Sequence, residues 1–309
     1  MALIVIRPGL CATVQDRGRE GFRSFGVPLG GAFDRGSLGL ANALLGNDLD
    51  AAALELTLIG GLYRAEVDLA IALAGAPMAA TIREPSGRER TLRIPQSATL
   101  RAGEELALGG SDTGARIYLA VRGGWRTPLI LGSRSSEERL GAGKVLPART
   151  GSIASRRPVD FPGKVPDPVG PIRVVDGSDA RPGTGDARLL ESGEYRVTPR
   201  SDRMGLRLEG PAIDRDSPAD RASAPVAPGA VQIAGGRPIV LGVAAGTMGG
   251  YPHLAHVIAA DLDRLAQLRP GDPLRFRRVE VEEARRSDRL DRRSRSRWLA
   301  LIALSTAWD

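Results

Sequence analysis

The chain has 309 residues, 42% of them hydrophobic, which is enough for two domains and a substantial core. Its net charge of +7 is concentrated: residues 277–297 hold nine arginines against five acidic residues, more than half of the excess. That pattern reads as a solvated arginine-rich helix. With no basic patches interleaved with aromatics, it speaks against a nucleic-acid partner. The single cysteine, Cys11, excludes an internal disulfide and suits a reducing compartment. No stretch approaches the roughly 20 apolar residues of a membrane span. The N-terminus lacks a basic leader, so a cytoplasmic protein without a membrane partner is expected.

Residues 2–7 are strongly apolar and read as a buried strand. Ser37–Leu45 places Leu38, Ala41, Leu44 and Leu45 at helical spacing, with Asp34 or Ser37 as cap and Gly46-Asn47 as terminator. Residues 51–59 alternate around Leu54, Leu56 and Leu58. Short runs follow at 68–74, 79–83, 90–94, 98–100, 105–108 and 116–121, broken by Gly, Pro and Ser. With 39 Gly, 22 Pro and few aromatics, this is the rhythm of a β-barrel or sandwich. The proline-rich stretch 155–171 reads as a linker. Strands resume at 172–175, 194–197, 206–208, 231–233 and 239–243. Residues 254–267 carry Leu254, Val257, Ile258, Leu262 and Leu265 at helical spacing, and 274–276 read as a last strand. A closing helix is expected over 280–306. Its apolar end, Trp298–Leu304, must dock on this chain or on a partner.

Four glycine-punctuated polar clusters stand out: Thr13–Arg19, Gly132–Ser136, Ser201–Gly205 and Gly246–Pro252. Glycine admits close approach, and an adjacent arginine presents a planar fork to a carboxylate or phosphate. One such cluster is a turn; four read as the rim of a site for a small polar or anionic ligand. Nucleotide loops do not fit. Gly141-Ala142-Gly143-Lys144-Val145 lacks the leading glycine and has Val145 where a metal-binding Ser or Thr belongs. His253 and His256, the only histidines, fall at i, i+3 on an expected helix start. Without a third ligand they read as exposed or core residues, and no metal site is expected. Neither a triad nor a nucleophile elbow has supporting context, and Cys11 reads as a small core residue.

Taken in order, the motifs resemble a known family, the biotin-dependent carboxyltransferase domain with subdomains A and B. It includes the C-type subunit of 5-oxoprolinase, the Kip inhibitor antagonist, allophanate hydrolase subunit 2 and part of urea carboxylase. Thr13–Arg19 resembles the family's TVQDxGR. Gly26-Val27-Pro28, Asp34, Ala41-Asn42, Gly46-Asn47 and Ala53-Leu54-Glu55 follow its next run. Arg122-Gly123-Gly124, Gly132–Ser135, Ser201–Gly205 and Arg207–Gly210 continue it. Pro228–Gln232, Gly249–Pro252, Asp261-Leu262 and Gln267–Asp272 complete the match over about residues 3–279.

The resemblance implies a mainly β fold with a few helices: two cyclophilin-like β-barrel domains over 1–160 and 170–279, with a helical extension over 280–309. It implies one subunit of an ATP-dependent amidohydrolase that opens 5-oxoproline to glutamate. The partners would be a B-type and an A-type subunit, with ATP held here or by a partner. On this reading Asp16, Thr247 and Tyr251 are catalytic. Asp16 serves as a base or orients Arg19, and the other two donate to the amide oxygen. Arg19, Arg134, Ser135, Asp202, Arg203 and Gln232 bind substrate, with Arg134 and Arg203 on its carboxylate or phosphate. The chain departs from the family at Val243–Met248, where an acid and a Gln are missing and Met248 replaces Thr. These losses keep open a non-catalytic, partner-binding relative. Carboxyl transfer from carboxybiotin to urea or a similar amide is a further alternative. No Met-Lys pair is present, so biotin would ride on a separate carrier.

Overall fold

The computed structural model describes residues 2–158, 170–180, 186–214 and 222–306. It forms two compact units. The first comprises Met1–Gly18, Asp34–Pro166 and Ser294–Asp309; the second comprises Arg19–Phe33 and Asp167–Arg293. Most of the expected linker, residues 159–169, lies outside the described residues.

The first unit contains β1 (Leu3–Arg7), β2 (Cys11–Gln15), β3 (Ala53–Thr57), β4 (Ile59–Ala65), β5 (Leu69–Gly75) and β6 (Ala80–Arg83). It continues with β7 (Glu89–Leu92), β8 (Gln96–Leu100), β9 (Glu105–Gly110), β10 (Arg116–Val121) and β11 (Val145–Leu146). They form two antiparallel sheets, β11-β1-β4-β9-β6-β7 and β2-β3-β10-β5-β8. Strand β5 is buried along its whole length, with its two faces differing in kind. Leu69, Ile71 and Leu73 join Leu54, Leu56 and Leu119 in the core. Ala70, Ala72 and Ala74 alternate with them, as strand geometry requires. Helix α1 (Arg35–Ala43) packs on β5 and β10.

Asp34 caps α1. Its carboxylate accepts the Ser37 N–H at 2.8 Å and the Ser37 hydroxyl at 2.6 Å. The Asp34 N–H donates to the Tyr118 hydroxyl at 2.8 Å, and that hydroxyl donates to buried Glu55 at 2.6 Å. Burial first, then the Glu55 charge, drives the Tyr118 pKa well above the ordinary phenol value, so it stays a donor.

The second unit is one eight-stranded sheet. Its strands are β12 (Ile172–Asp176), β13 (Tyr195–Val197), β14 (Gly205–Glu209), β16 (Ala230–Ala234), β17 (Arg237–Leu241), β19 (His253–Val257), β20 (Pro273–Leu274) and β21 (Phe276–Arg278). The short strands β15 (Ala224–Pro225) and β18 (Met248–Gly249) pair separately. The sheet order is β20-β13-β14-β17-β16-β19-β12-β21. Its two edge strands are neighbours in sequence, separated only by Arg275. Pro273–Leu274 pairs with β13 and Phe276–Arg278 pairs in parallel with β12. One stretch of chain thus zips both edges and nearly closes a barrel around Val174, Val231, Leu254 and Phe276.

The helix expected over 254–267 divides. Residues 253–257 are strand, followed by a 3-10 turn at Ala259–Asp261 and the short helix α2 (Leu262–Ala266). Leu254 and Val257 satisfy helical spacing, and they also fit a strand interrupted by a bulge, which is what forms. Helix α3 (Val281–Thr306) matches the expected closing helix. Its apolar end docks on this chain: a Cβ at Gly39 of α1 would lie 3.4 Å from Leu299 Cδ1, and Leu299 and Ile302 are buried. Leu299→Ala is therefore expected to cost about 2–5 kcal/mol, read as a lower urea midpoint. A neutral result would place this helix end off the core.

Candidate functional site

The residues singled out from sequence fall into two groups, each within one unit. In the first unit, Asp16 follows β2 and is buried. Its Oδ1 accepts the Ser133 and Ser135 hydroxyls, both at 2.6 Å, and the Gly18 N–H at 2.8 Å. Its Oδ2 accepts the Arg134 N–H at 2.6 Å. The Asp16 N–H donates back to Ser135 Oγ at 2.9 Å. Burial pushes this carboxyl up. The Ser133 and Ser135 hydroxyls, with the Arg134 and Gly18 amides, outweigh it and hold the pKa below the usual 3.8. A carboxylate so saturated is a fixed anion and a poor base. Its bonds make it a latch on the Ser133–Ser135 turn.

That turn is tight. Ile130 and Ser133 exchange backbone hydrogen bonds at 2.8 and 3.1 Å, and Leu131 takes φ +51°, a strained value for a branched side chain. Leu129, Ile130 and Leu131 are all exposed beside it. The Arg134 guanidinium turns toward the Thr127 carbonyl.

In the second unit, the segment Arg19–Phe33 lies against the ends of strands formed some 200 residues later. The Gly30 N–H donates to the Val243 carbonyl at 2.9 Å, and Phe33 sits in the core. Buried Arg203 donates through Nη2 to the Gly31 carbonyl at 2.7 Å. Arg19 Nη1 lies 3.4 Å from where Gly30 would carry a Cβ. Two guanidinium groups therefore reach Gly30-Gly31, one at each glycine. A Cβ at Gly242 would sit 2.2 Å from the Arg203 carbonyl oxygen, so only glycine lets the 242–244 backbone run beside Arg203.

Asp202 is committed to its own turn. Its Oδ1 accepts the Met204 and Gly205 N–H groups at 2.8 and 3.2 Å, which makes it a turn former. Buried Gln232 donates to the Tyr251 carbonyl at 3.0 Å, and a Cβ at Gly249 would come within 2.5 Å of its Nε2. Gln232 thus positions the Gly249–Tyr251 turn. Tyr251 itself is half-exposed, and the Thr247 carbonyl receives the Val226 N–H at 3.0 Å.

Arg23 is the residue that sequence reasoning missed. Its Nη2 donates to the Val226 carbonyl, while its Nη1 is buried without a hydrogen-bond partner. Such an orphaned charged donor is costly unless an anion meets it. Nothing local marks it, because the segment's partners are remote in sequence.

Residues 25–278 match the model of the carboxyltransferase domain, subdomain A and B. The chain belongs to this family. It is 35% identical over 293 residues to the C-type 5-oxoprolinase subunit of Escherichia coli (strain K12), a match covering 91% of this chain and 93% of that one. The solved TTHA0988 superposes with a TM-score of 0.80 at 34% identity, over 89% of this chain and 56% of that one. Kluyveromyces lactis urea carboxylase superposes with a TM-score of 0.78 at 26% identity, over 96% of this chain and 29% of that one. The chain thus spans little more than half of the first solved relative and under a third of the second.

At 141–145 the Gly143 N–H donates to Val5 O at 2.8 Å and the Lys144 N–H to Gly141 O, so these two amides are engaged. Among the described residues, no group of three or more His, Cys, Asp or Glu side chains is placed to hold a metal ion. No helix there is long and apolar enough to cross a membrane.

The latch makes a pH-dependent prediction. Asp16 binds its proton less tightly folded than unfolded. Its stabilisation is therefore complete above the ordinary value of 3.8 and lost as pH falls through the lower folded value. Asp16→Asn should cost about 1–3 kcal/mol at pH 7 and flatten the acid limb of a stability-against-pH curve. An unchanged acid limb would mean the carboxylate is not the titrating latch.

Proposed function

We propose that this chain is a C-type subunit of a 5-oxoprolinase. Such a complex couples ATP hydrolysis to opening of the 5-oxoproline lactam, giving glutamate. The observation that carries the reading is that Arg203 and Arg19 both reach Gly30-Gly31, with the unsatisfied Arg23 Nη1 on the same segment. Planar forks of this kind suit the carboxylate of a small acid. The similarity to the Escherichia coli 5-oxoprolinase component along nearly its whole length supports the same reading.

On this reading the arginines fix the carboxylate, while Tyr251 and Thr247 donate to the lactam oxygen. Gln232 keeps the Tyr251 turn in place, and alignment beside a water supplies much of the rate. In the first unit, Ser135 and Asp16 hold the Arg134 backbone, and Arg134 offers its remaining N–H groups to an anion. ATP is held by this chain or by a partner subunit; the Gly143 and Lys144 amides, already bonded to backbone carbonyls, do not offer it a phosphate loop. The A-type and B-type partners and a cytoplasmic setting belong to the same proposal. A non-catalytic relative is favoured by one observation: Ala245, at the position of the lost acid, is buried and apolar.

Co-purification with B-type and A-type subunits, followed by an assay for ATP-dependent glutamate release, tests the proposal. Release supports it, and a formed complex without release defeats it in favour of the non-catalytic relative. Within an active complex, Arg19→Gln should raise KM for 5-oxoproline about ten- to a hundredfold, with a smaller change in kcat. A selective loss of kcat would remove Arg19 from carboxylate binding.

A further inference from the structure

His253 and His256 stand three residues apart on β19, and a regular strand would turn them to opposite faces. The register with β16 pairs Ala230 with His256 and Val231 with Ala255, then Gln232 with His253, leaving Leu254 as an extra residue. This bulge shifts the side-chain phase. Leu254 and Ala255 both enter the core, and the two imidazoles meet edge to face with centroids 5.4 Å apart.

The His256 tautomer follows from its contact with Pro228. The His256 ring is bonded to the backbone of Pro228, which has only a carbonyl to offer, so His256 is the donor there. Its Nε2 is the nitrogen at this turn, 3.2 Å from a Cβ placed on Gly229. Burial first, and His253 second, lower the His256 pKa to about 4, so the ring is neutral at neutral pH. A neutral imidazole has one N–H and one lone pair. His256 Nδ1 is therefore an acceptor, facing His253 Nε2 at 3.4 Å. In the His253 tautomer that donates from Nε2, the Nδ1 lone pair faces Ser178 Oγ at 3.2 Å. In that tautomer the exposed serine can pass its proton to a base that a third group orients.

The surrounding turn is fixed. The Gly177 N–H donates to Leu254 O at 2.9 Å and the Asp179 N–H to His253 O at 3.1 Å. The Asp179 carboxylate accepts the His253 backbone N–H at 2.8 Å, placing negative charge near the residue that would gain a proton.

We propose that Ser178, His253 and His256 form a nucleophilic serine centre that accepts acyl groups from small activated carboxylic esters, an activity separate from lactam opening. Ser178 Oγ bonds to the ester carbonyl carbon as its proton passes to His253 Nδ1. The ester C–O bond then breaks, and the departing alcohol takes that proton. Water cleaves the acyl-serine by the same route, releasing the carboxylic acid and restoring the hydroxyl.

The test treats the folded full chain with a fluorophosphonate probe, maps the adduct by mass spectrometry, and follows nitrophenolate release from p-nitrophenyl acetate. An adduct on Ser178, loss of both signals in Ser178→Ala, and labelling slowed about a hundredfold in His253→Gln are expected. His256→Ala should slow labelling in the same direction. Absence of an adduct on Ser178 overturns the proposal, as does a labelling rate indifferent to His253→Gln. Circular dichroism of each variant separates these outcomes from misfolding, and Ser178, being exposed, can be changed without disturbing the core.

Discussion

A single guanidinium does much to organise the second unit. Arg203 is buried, and its hydrogen bond to the Gly31 carbonyl ties an N-terminal segment to the turn that opens β14. A buried charge is tolerable only when its donors are met, so this bond constrains both partners. The backbone of residues 242–244 has to follow Arg203 closely, which leaves Gly242 no room for a side chain. Gly30, in turn, is held to Val243. The candidate carboxylate site is the outcome of that constraint.

The first unit uses the same device with the charge reversed. Asp16 gathers two hydroxyls and two backbone N–H groups and thereby sets the Ser133–Ser135 turn. In both places a charged side chain holds backbone groups and so fixes a turn. A conspicuous charged residue in a glycine-rich motif can therefore be scaffolding as well as a candidate ligand group.

This explains what is legible in the sequence. The α1 helix can be read because its spacing, its Asp34 cap and its Gly46 terminator all agree. The strand rhythm is equally clear, because glycine and proline mark nearly every turn. The 254–267 region misleads because Leu254 and Val257 fit two periodicities, and a bulge leaves no compositional trace. The clusters around Asp16 and Arg203 are visible as polar motifs, but the direction of each hydrogen bond is not. Arg23 is invisible, since its partner Val226 lies 203 residues away.

The stretch Pro273–Arg278 carries a consequence for solubility. An open sheet of eight strands would present two rows of unsatisfied amides and carbonyls, a template on which further chains could add. Here a few consecutive residues cap both rows at once. Protection against polymerisation therefore rests on a short seam. A lesion that loosens it would uncover two sticky borders together, and the damage would show first as fibrous association and only later as loss of the barrel.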